Sequence, residues 1–470
     1  MIERAFTMTV GGSPVHTAES IEVIDPATEA VLAEAPRATE MDLESAIAAA
    51  RDAFPGWRSR GLDDRRAAVR AIAVVLRDNR DELAALLTSE QGKPFALARG
   101  EIDRAAMWAD GVADLEWEER VAEDTEQHRV RVRRVPLGVV GAIVPWNFPV
   151  TLAVWKIAPA LLTGNTVVLK PSPMTPLTGL RLGELLRDVL PAGVLNVITG
   201  GDELGPWMTS HPGFDKIAFT GSSATGKRVM ASASEHLTRV TLELGGNDAA
   251  VVLPDVDVAE IAPTLYWACF SNSSQYCLAT KRLYVHDDVY DDLARALRDY
   301  GLSVRIGNGM AEGVQLGPIQ NRTQFDKVQG YIEQSREAGH RFVLETPIEE
   351  PSGYFIGPVI VDDPPADAPI VTEEPFGPIV PMLRFTDVDA VIDAVNSSPY
   401  GLGGSVWSAD TEAATAIAER IESGVVWVNE IHALSPQFPM GGRKESGIGR
   451  ENGIEGLLEY TATQALAVRK

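Results

Sequence analysis

Only two cysteines occur in this chain of 470 residues, Cys269 and Cys277. Cys277 lies in FSNSSQYCLATKR, behind a Gln-Tyr pair and within a run of small polar residues. Most lone cysteines are small buried hydrophobes. A nucleophilic one needs partners: a base, and donors for the charge that develops on its substrate. Two other segments offer them. In VPWNFP, Pro145 and Pro149 bend the chain and present Asn147. Its uncharged amide suits an oxyanion, because it stabilises charge without surrendering a proton. In TLELGGND, Glu243 ends an expected strand between Leu242 and Leu244. Partial desolvation there should raise its pKa toward that of a general base. The two glycines that follow let a ligand approach the backbone.

A phosphate would find a cradle in KIAFTGSSATGKR, which reads as strand, glycine turn and helix N-terminus. Gly221, Gly226 and Lys227 approach P-loop spacing, but Arg228 stands where that motif needs Ser or Thr for Mg²⁺. A phosphotransferase is therefore the remote alternative. Lys170 closes VVLKPSP at what would be the ligand-facing end of a parallel strand. No G-x-G-x-x-G fingerprint follows any expected strand. The seven histidines show no ligand spacing, so no metal is expected.

The elements that must position these residues change character along the chain. The first third reads helical, in MDLESAIAAARDAFPGW and in the run from Arg65 to Lys93, stopped by Gly92 and Pro94. HRVRVRRVP alternates as a solvent-edged strand does. After it, GVVGAIV, NTVVLK, VLNVIT, KIAF and RVTLEL read as strands with helices between them, which predicts a parallel sheet with crossover helices. A second α/β region starts near residue 246, with AAVVL, RLYVH and GSVWS as strands and a helix over roughly 258–275. EYTATQALAVRK would pair as an edge strand.

An apolar fraction of 45% and a charged fraction of 23% are those of an ordinary globular protein, and the length requires more than one domain. A net charge of −24 argues against nucleic acid as a partner. Residues 135–155 carry no charge, but Pro145, Asn147 and Pro149 interrupt them, so no membrane span is expected. Two free thiols and no signal-peptide core in MIERAFTMTVGG predict a cytoplasmic protein.

PWNFP, KPSP, FTGS, ELGGND, SQYCLA, EEPFGP and GGRKESGIGRENG follow one another over residues 136–460. In order and spacing they resemble the aldehyde dehydrogenase superfamily, in its NAD(P)-dependent, hydrolytic branch. The resemblance implies an α/β fold with a Rossmann-like cofactor domain (1–117 and 137–245) and a second α/β catalytic domain (246–445). Residues 118–136 and 446–470 would form a small β flap for oligomerisation. It implies Cys277 as nucleophile, Glu243 as general base and Asn147 as oxyanion donor, with Lys156 and Glu451 moving protons from the base. Val144, Pro145, Trp146, Lys170, Ser172, Gly221, Ser222, Thr225, Leu244 and Gly245 would hold NAD. Glu374 would bind the nicotinamide ribose, and Phe376 would pack on the ring.

By the same resemblance, Leu152, Trp155, Phe270, Tyr276, Leu278 and Phe438 line an aldehyde tunnel suited to an apolar or aromatic substrate. No arginine lies in those wall segments, which disfavours the semialdehyde of a diacid. A CoA-acylating relative typically lacks the base that Glu243 supplies. The family's habit implies a homodimer or homotetramer. Two residues depart from the pattern. Ser274 stands where glycine is common, and Pro173 where many members carry a glutamate that contacts the adenosine ribose. The second departure keeps NADP beside NAD, while the lack of a further Arg or Lys in KPSPMTP favours NAD.

Overall fold

Five strands, Leu195–Val197, Thr166–Lys170, Val139–Ile143, Lys216–Thr220 and Arg239–Glu243, lie side by side in that order and run parallel. The computed structural model describes residues 4–350 and 352–470. Every residue of the three middle strands is buried, because helices cover both faces of the sheet. The chain begins the parallel part of this sheet with Val139–Ile143, builds outward on one side, then returns to lay Lys216–Thr220 on the other. That reversal leaves a crevice beyond the C-terminal strand ends, where open parallel sheets bind ligands. Short antiparallel strands complete an eight-stranded sheet, with Met8–Val10 and Ser13–Val15 on one edge and Gly447–Ile448 on the other.

The N-terminal third differs from the helical reading in two ways. Strands Met8–Val10, Ser13–Val15, Ser20–Ile24 and Val31–Pro36 precede the first helix. The first two have three residues each, too few for alternation to show, whereas Ser20–Ile24 and Val31–Pro36 are as long as the strands legible elsewhere and escape the reading. The helical run from Arg65 breaks at Asn79 into Leu62–Asp78 and Arg80–Gln91. Asn79 turns its own amide back onto the Val75 carbonyl at 2.8 Å, competing with the helix ladder. Gly92, at φ 96°, ends the second piece. A further helix, Phe95–Ala113, then packs against Pro149–Leu162.

Residues 135–155 form strand, turn and the start of Pro149–Leu162, a buried helix opened by a proline in its first turn. Among the described residues, no helix is long and apolar enough to cross a membrane.

The second sheet has seven strands in the order Arg341–Glu345, Val359–Asp362, Ile379–Phe385, Thr280–His286, Asp248–Val252, Gly403–Trp407 and Val425–Val428. All pairs but the first are parallel. Successive residues of Asp248–Val252 feed opposite cores, Ala249 and Val251 on one face, Ala250 and Val252 on the other. The C-terminal strand Thr461–Arg469 pairs along its whole length with His128–Pro136, and Arg120–Asp124 makes a third strand.

Candidate active site

Helix Val258–Phe270 carries the chain toward Cys277 and ends short of the expected residue 275. Asn272, Ser273 and Ser274 stop it by taking φ of 53°, 54° and 57°. Left-handed backbone is strained for residues with a Cβ. Side-chain bonds hold it: Ser273 Oγ donates to the Gly317 carbonyl at 2.7 Å and Ser274 Oγ to the Cys269 carbonyl at 2.5 Å. Beyond the loop Cys277 is half-buried on the wall of a cavity, whereas Cys269 is fully buried. Burial pushes the Cys277 thiol up to about 12, and Lys281 is the chief opposing charge. Lys281 Nζ donates to the Cys277 carbonyl at 2.6 Å and pairs with Glu374 at 3.3 Å.

Asn147 reaches the same cavity from the bend before Pro149–Leu162. Its Nδ2 donates to the Gln275 carbonyl, two residues before the thiol, at 3.0 Å. Its own carbonyl accepts from Lys93 Nζ at 2.8 Å. Lys93 in turn pairs with Glu101 at 2.5 Å, and Glu101 accepts from the first N–H groups of the helix, Val150 at 3.0 Å and Thr151 at 3.3 Å. The bend is thus held by a buried ion pair that also caps the helix.

Glu243 closes its strand and is 4% exposed. Both carboxylate oxygens are buried without a hydrogen bond of regular geometry among the described residues, the Gly442 N–H acting on them as a weak donor. Burial, with Glu451 adding to it, raises the pKa well above the usual carboxylate range, while Lys156 and Arg450 oppose. Lys156 and Glu451 form an ion pair whose side chains are almost wholly inaccessible.

Cys277, Asn147 and Glu243 line one cavity of about 560 Å³. Leu152, Trp155, Tyr276 and Leu278 are on its wall. Phe270 and Phe438, expected there, are not. Phe270 packs on Tyr266 in the core under the second sheet, since the helix ends there with that face inward. Phe438 is exposed, on the loop before Met440, and Met440 takes the wall position instead.

Other wall residues had no sequence signal. His432 packs its ring 4.6 Å from Tyr276 and bonds the Leu278 carbonyl at 2.9 Å, and burial pulls its pKa down to about 4. Leu97, Arg104 and Trp108 reach the cavity from helix Phe95–Ala113. Their spacing of seven and four residues is one helix face, the only trace they leave in the sequence. The wall segments read from the sequence contain no arginine, but the fold supplies one from this distant helix.

Above the first sheet the crevice gathers most of the residues expected to hold a dinucleotide. Val144 and Lys170 sit at adjacent strand ends, Val144 N–H donating to the Lys170 carbonyl at 3.1 Å. Burial lowers the Lys170 ammonium to about 8. After Gly221, Ser222 caps helix Ser223–Ala233 by accepting from the Thr225 N–H at 3.2 Å. That leaves the free N–H groups of the helix start facing the strand ends, a fit for a pyrophosphate. Trp146 and Phe376 meet edge-on at 5.4 Å, and Glu374 accepts from the Gly246 N–H at 3.1 Å. A Cβ at Gly245 would stand 2.4 Å from Glu374 Oε2, so a side chain there would push the Glu374 carboxylate from its present place. Leu244 packs on Gly226 and lies on the wall of the cavity that holds Cys277, and Ser172 and Pro145 lie close to Lys170 and Trp146 in the chain. Lys227, the would-be P-loop lysine, pairs with Glu445 at 2.8 Å.

The sequence matches the profile of the aldehyde dehydrogenase family over residues 14–466. The chain belongs to the aldehyde dehydrogenase family. It is 41% identical to a probable aldehyde dehydrogenase of a Pseudomonas species, over 99% of this chain and 95% of that one. It is 37% identical to a phenylacetaldehyde dehydrogenase of Pseudomonas fluorescens, over 98% of this chain and 95% of that one. An aldehyde dehydrogenase of Bacillus cereus in complex with NAD⁺ shares the mixed α/β fold with a TM-score of 0.96 at 34% identity, covering 99% of this chain and 97% of that one. Within this aldehyde dehydrogenase the departure at Ser274 is absorbed locally. Its hydroxyl bonds to Cys269 hold the left-handed backbone that glycine would adopt freely.

Proposed function

We propose that this aldehyde dehydrogenase converts an aldehyde to its carboxylic acid through a covalent adduct on Cys277. The carrying observation is that thiol, amide and unpaired buried carboxylate share one cavity next to the crevice at the strand ends. The Cys277 thiol gives its proton to Glu243, which passes it on before hydrolysis, as the sulfur adds to the carbonyl carbon, and the resulting oxyanion is held by the Asn147 amide. NAD, when bound, supplies the hydride acceptor that allows this adduct to become a thioester. Lys170, Ser222, Glu374 and Phe376 are the residues we expect to hold it. Glu243 then takes a proton from water, whose oxygen replaces the sulfur and releases acid and thiol. Its raised pKa suits that task. The carboxylate of Glu451, held by its ion pair with Lys156, is the group we expect to take the proton onward from Glu243.

The wall of Leu152, Trp155, Tyr276 and Leu278 supports a substrate with an apolar or aromatic body. The Pseudomonas fluorescens relative named for phenylacetaldehyde is in keeping with that. Cys277→Ser tests the covalent route. Aldehyde oxidation should vanish while NAD still raises the melting temperature. Turnover persisting in that variant would remove Cys277 from the mechanism.

A further inference from the structure

Arg104 is an exposed residue on the cavity wall, one helical turn before Trp108. The acids around it are engaged elsewhere. Asp103 pairs with Arg80, Asp110 with Arg77, Asp114 with Arg70, and Glu101 with Lys93. Among the described residues no ion pair includes Arg104, although its neighbours Arg99 and Lys93 each have one. Lys93, the other cation on the wall, is buried and committed to Glu101 and the Asn147 carbonyl. Glu243 is the wall's carboxylate, and it belongs to the reacting end. Arg104 is therefore an exposed guanidinium without an ion-pair partner, on the wall of a cavity whose lining is mostly apolar and aromatic.

We propose that Arg104 selects aldehydes bearing a carboxylate at the end remote from the carbonyl, with an apolar or aromatic body between. A planar fork of N–H donors matches a carboxylate in two-point fashion. On a chain of net charge −24 an anionic substrate has no general attraction to rely on, so a local cation decides the matter. The inference rests on the reading that the carbonyl is attacked at Cys277, which orients the rest of the substrate toward the mouth. It reverses the expectation drawn from wall segments without arginine.

The experiment compares kcat/KM for 4-carboxybenzaldehyde and adipic semialdehyde, each against its own methyl ester, with wild type, Arg104→Met and Arg104→Lys. Wild type should favour at least one free acid by about tenfold, the scale of one charge-assisted hydrogen bond partly screened by water. That preference should shrink as salt is added. Arg104→Met should abolish it, and Arg104→Lys should keep part of it. Acid-to-ester ratios at or below unity in wild type, or a preference that Arg104→Met leaves intact, would overturn the proposal. Wild type that oxidises the esters without preferring an acid sinks the role of Arg104 alone. Wild type that oxidises neither acid nor ester sinks the functional reading, and this inference with it.

Discussion

Glu243→Gln should make the protein more stable near neutral pH while stopping its chemistry. The carboxyl is 4% exposed and has no hydrogen bond of regular geometry among the described residues, and burial holds its folded-state pKa well above 4.5. As pH rises, the unfolded chain ionises this group first, near the ordinary carboxylate value of about 4.3. The folded protein keeps its proton until the raised pKa is reached. Between those limits unfolding releases a proton, so stability falls by about 1.4 kcal/mol for each pH unit. Glutamine does not titrate and escapes that decline. The stability gap between variant and wild type should therefore widen as pH rises above the ordinary carboxylate range, and level off once the raised folded-state pKa is passed. It should close below the ordinary carboxylate range, where both states of wild type are protonated.

Urea denaturation of the two proteins at about pH 5, 6 and 7 reads the slope directly. Curves that stay parallel to within about 0.5 kcal/mol, the usual error of additivity, would show that Glu243 is not strained by its burial. The same variant should release one equivalent of NADH and then stall at the thioester. Full turnover would take the base role from Glu243.

Lys156→Met should cost roughly 3–5 kcal/mol by leaving Glu451 unpaired in the interior. Lys156→Met/Glu451→Leu should recover most of it, and a double variant no better than the single one would deny the coupling. Because Lys156 lowers the Glu243 pKa, its loss should also move the alkaline-rising limb of the kcat profile to higher pH. Lys281→Met removes the chief charge that opposes burial of the Cys277 thiol, so alkylation by iodoacetamide at neutral pH should slow, about tenfold per unit of pKa. Lys281→Arg should restore part of the rate, and an alkylation profile indifferent to residue 281 would refute the link.

The three residues that meet in the cavity, Cys277, Asn147 and Glu243, were legible as candidates because each sits in a short motif whose local form is dictated by its own residues. Prolines bend the chain at Asn147, alternation ends a strand at Glu243, and small polar residues precede Cys277. The parallel sheet was legible for the same reason, its strands being continuous apolar runs between helices. What local sequence could not carry was which distant surfaces meet. Phe270 and Phe438 flank the right segments, yet the fold turns one into the core and the other to solvent. Arg104, His432 and Lys281 acquire meaning only through packing against residues far away in the chain or in a different element. Type and periodicity settle what a segment becomes. Whether a side chain is unpaired, buried or facing a cavity depends on every neighbour at once, and only the assembled tertiary structure decides that.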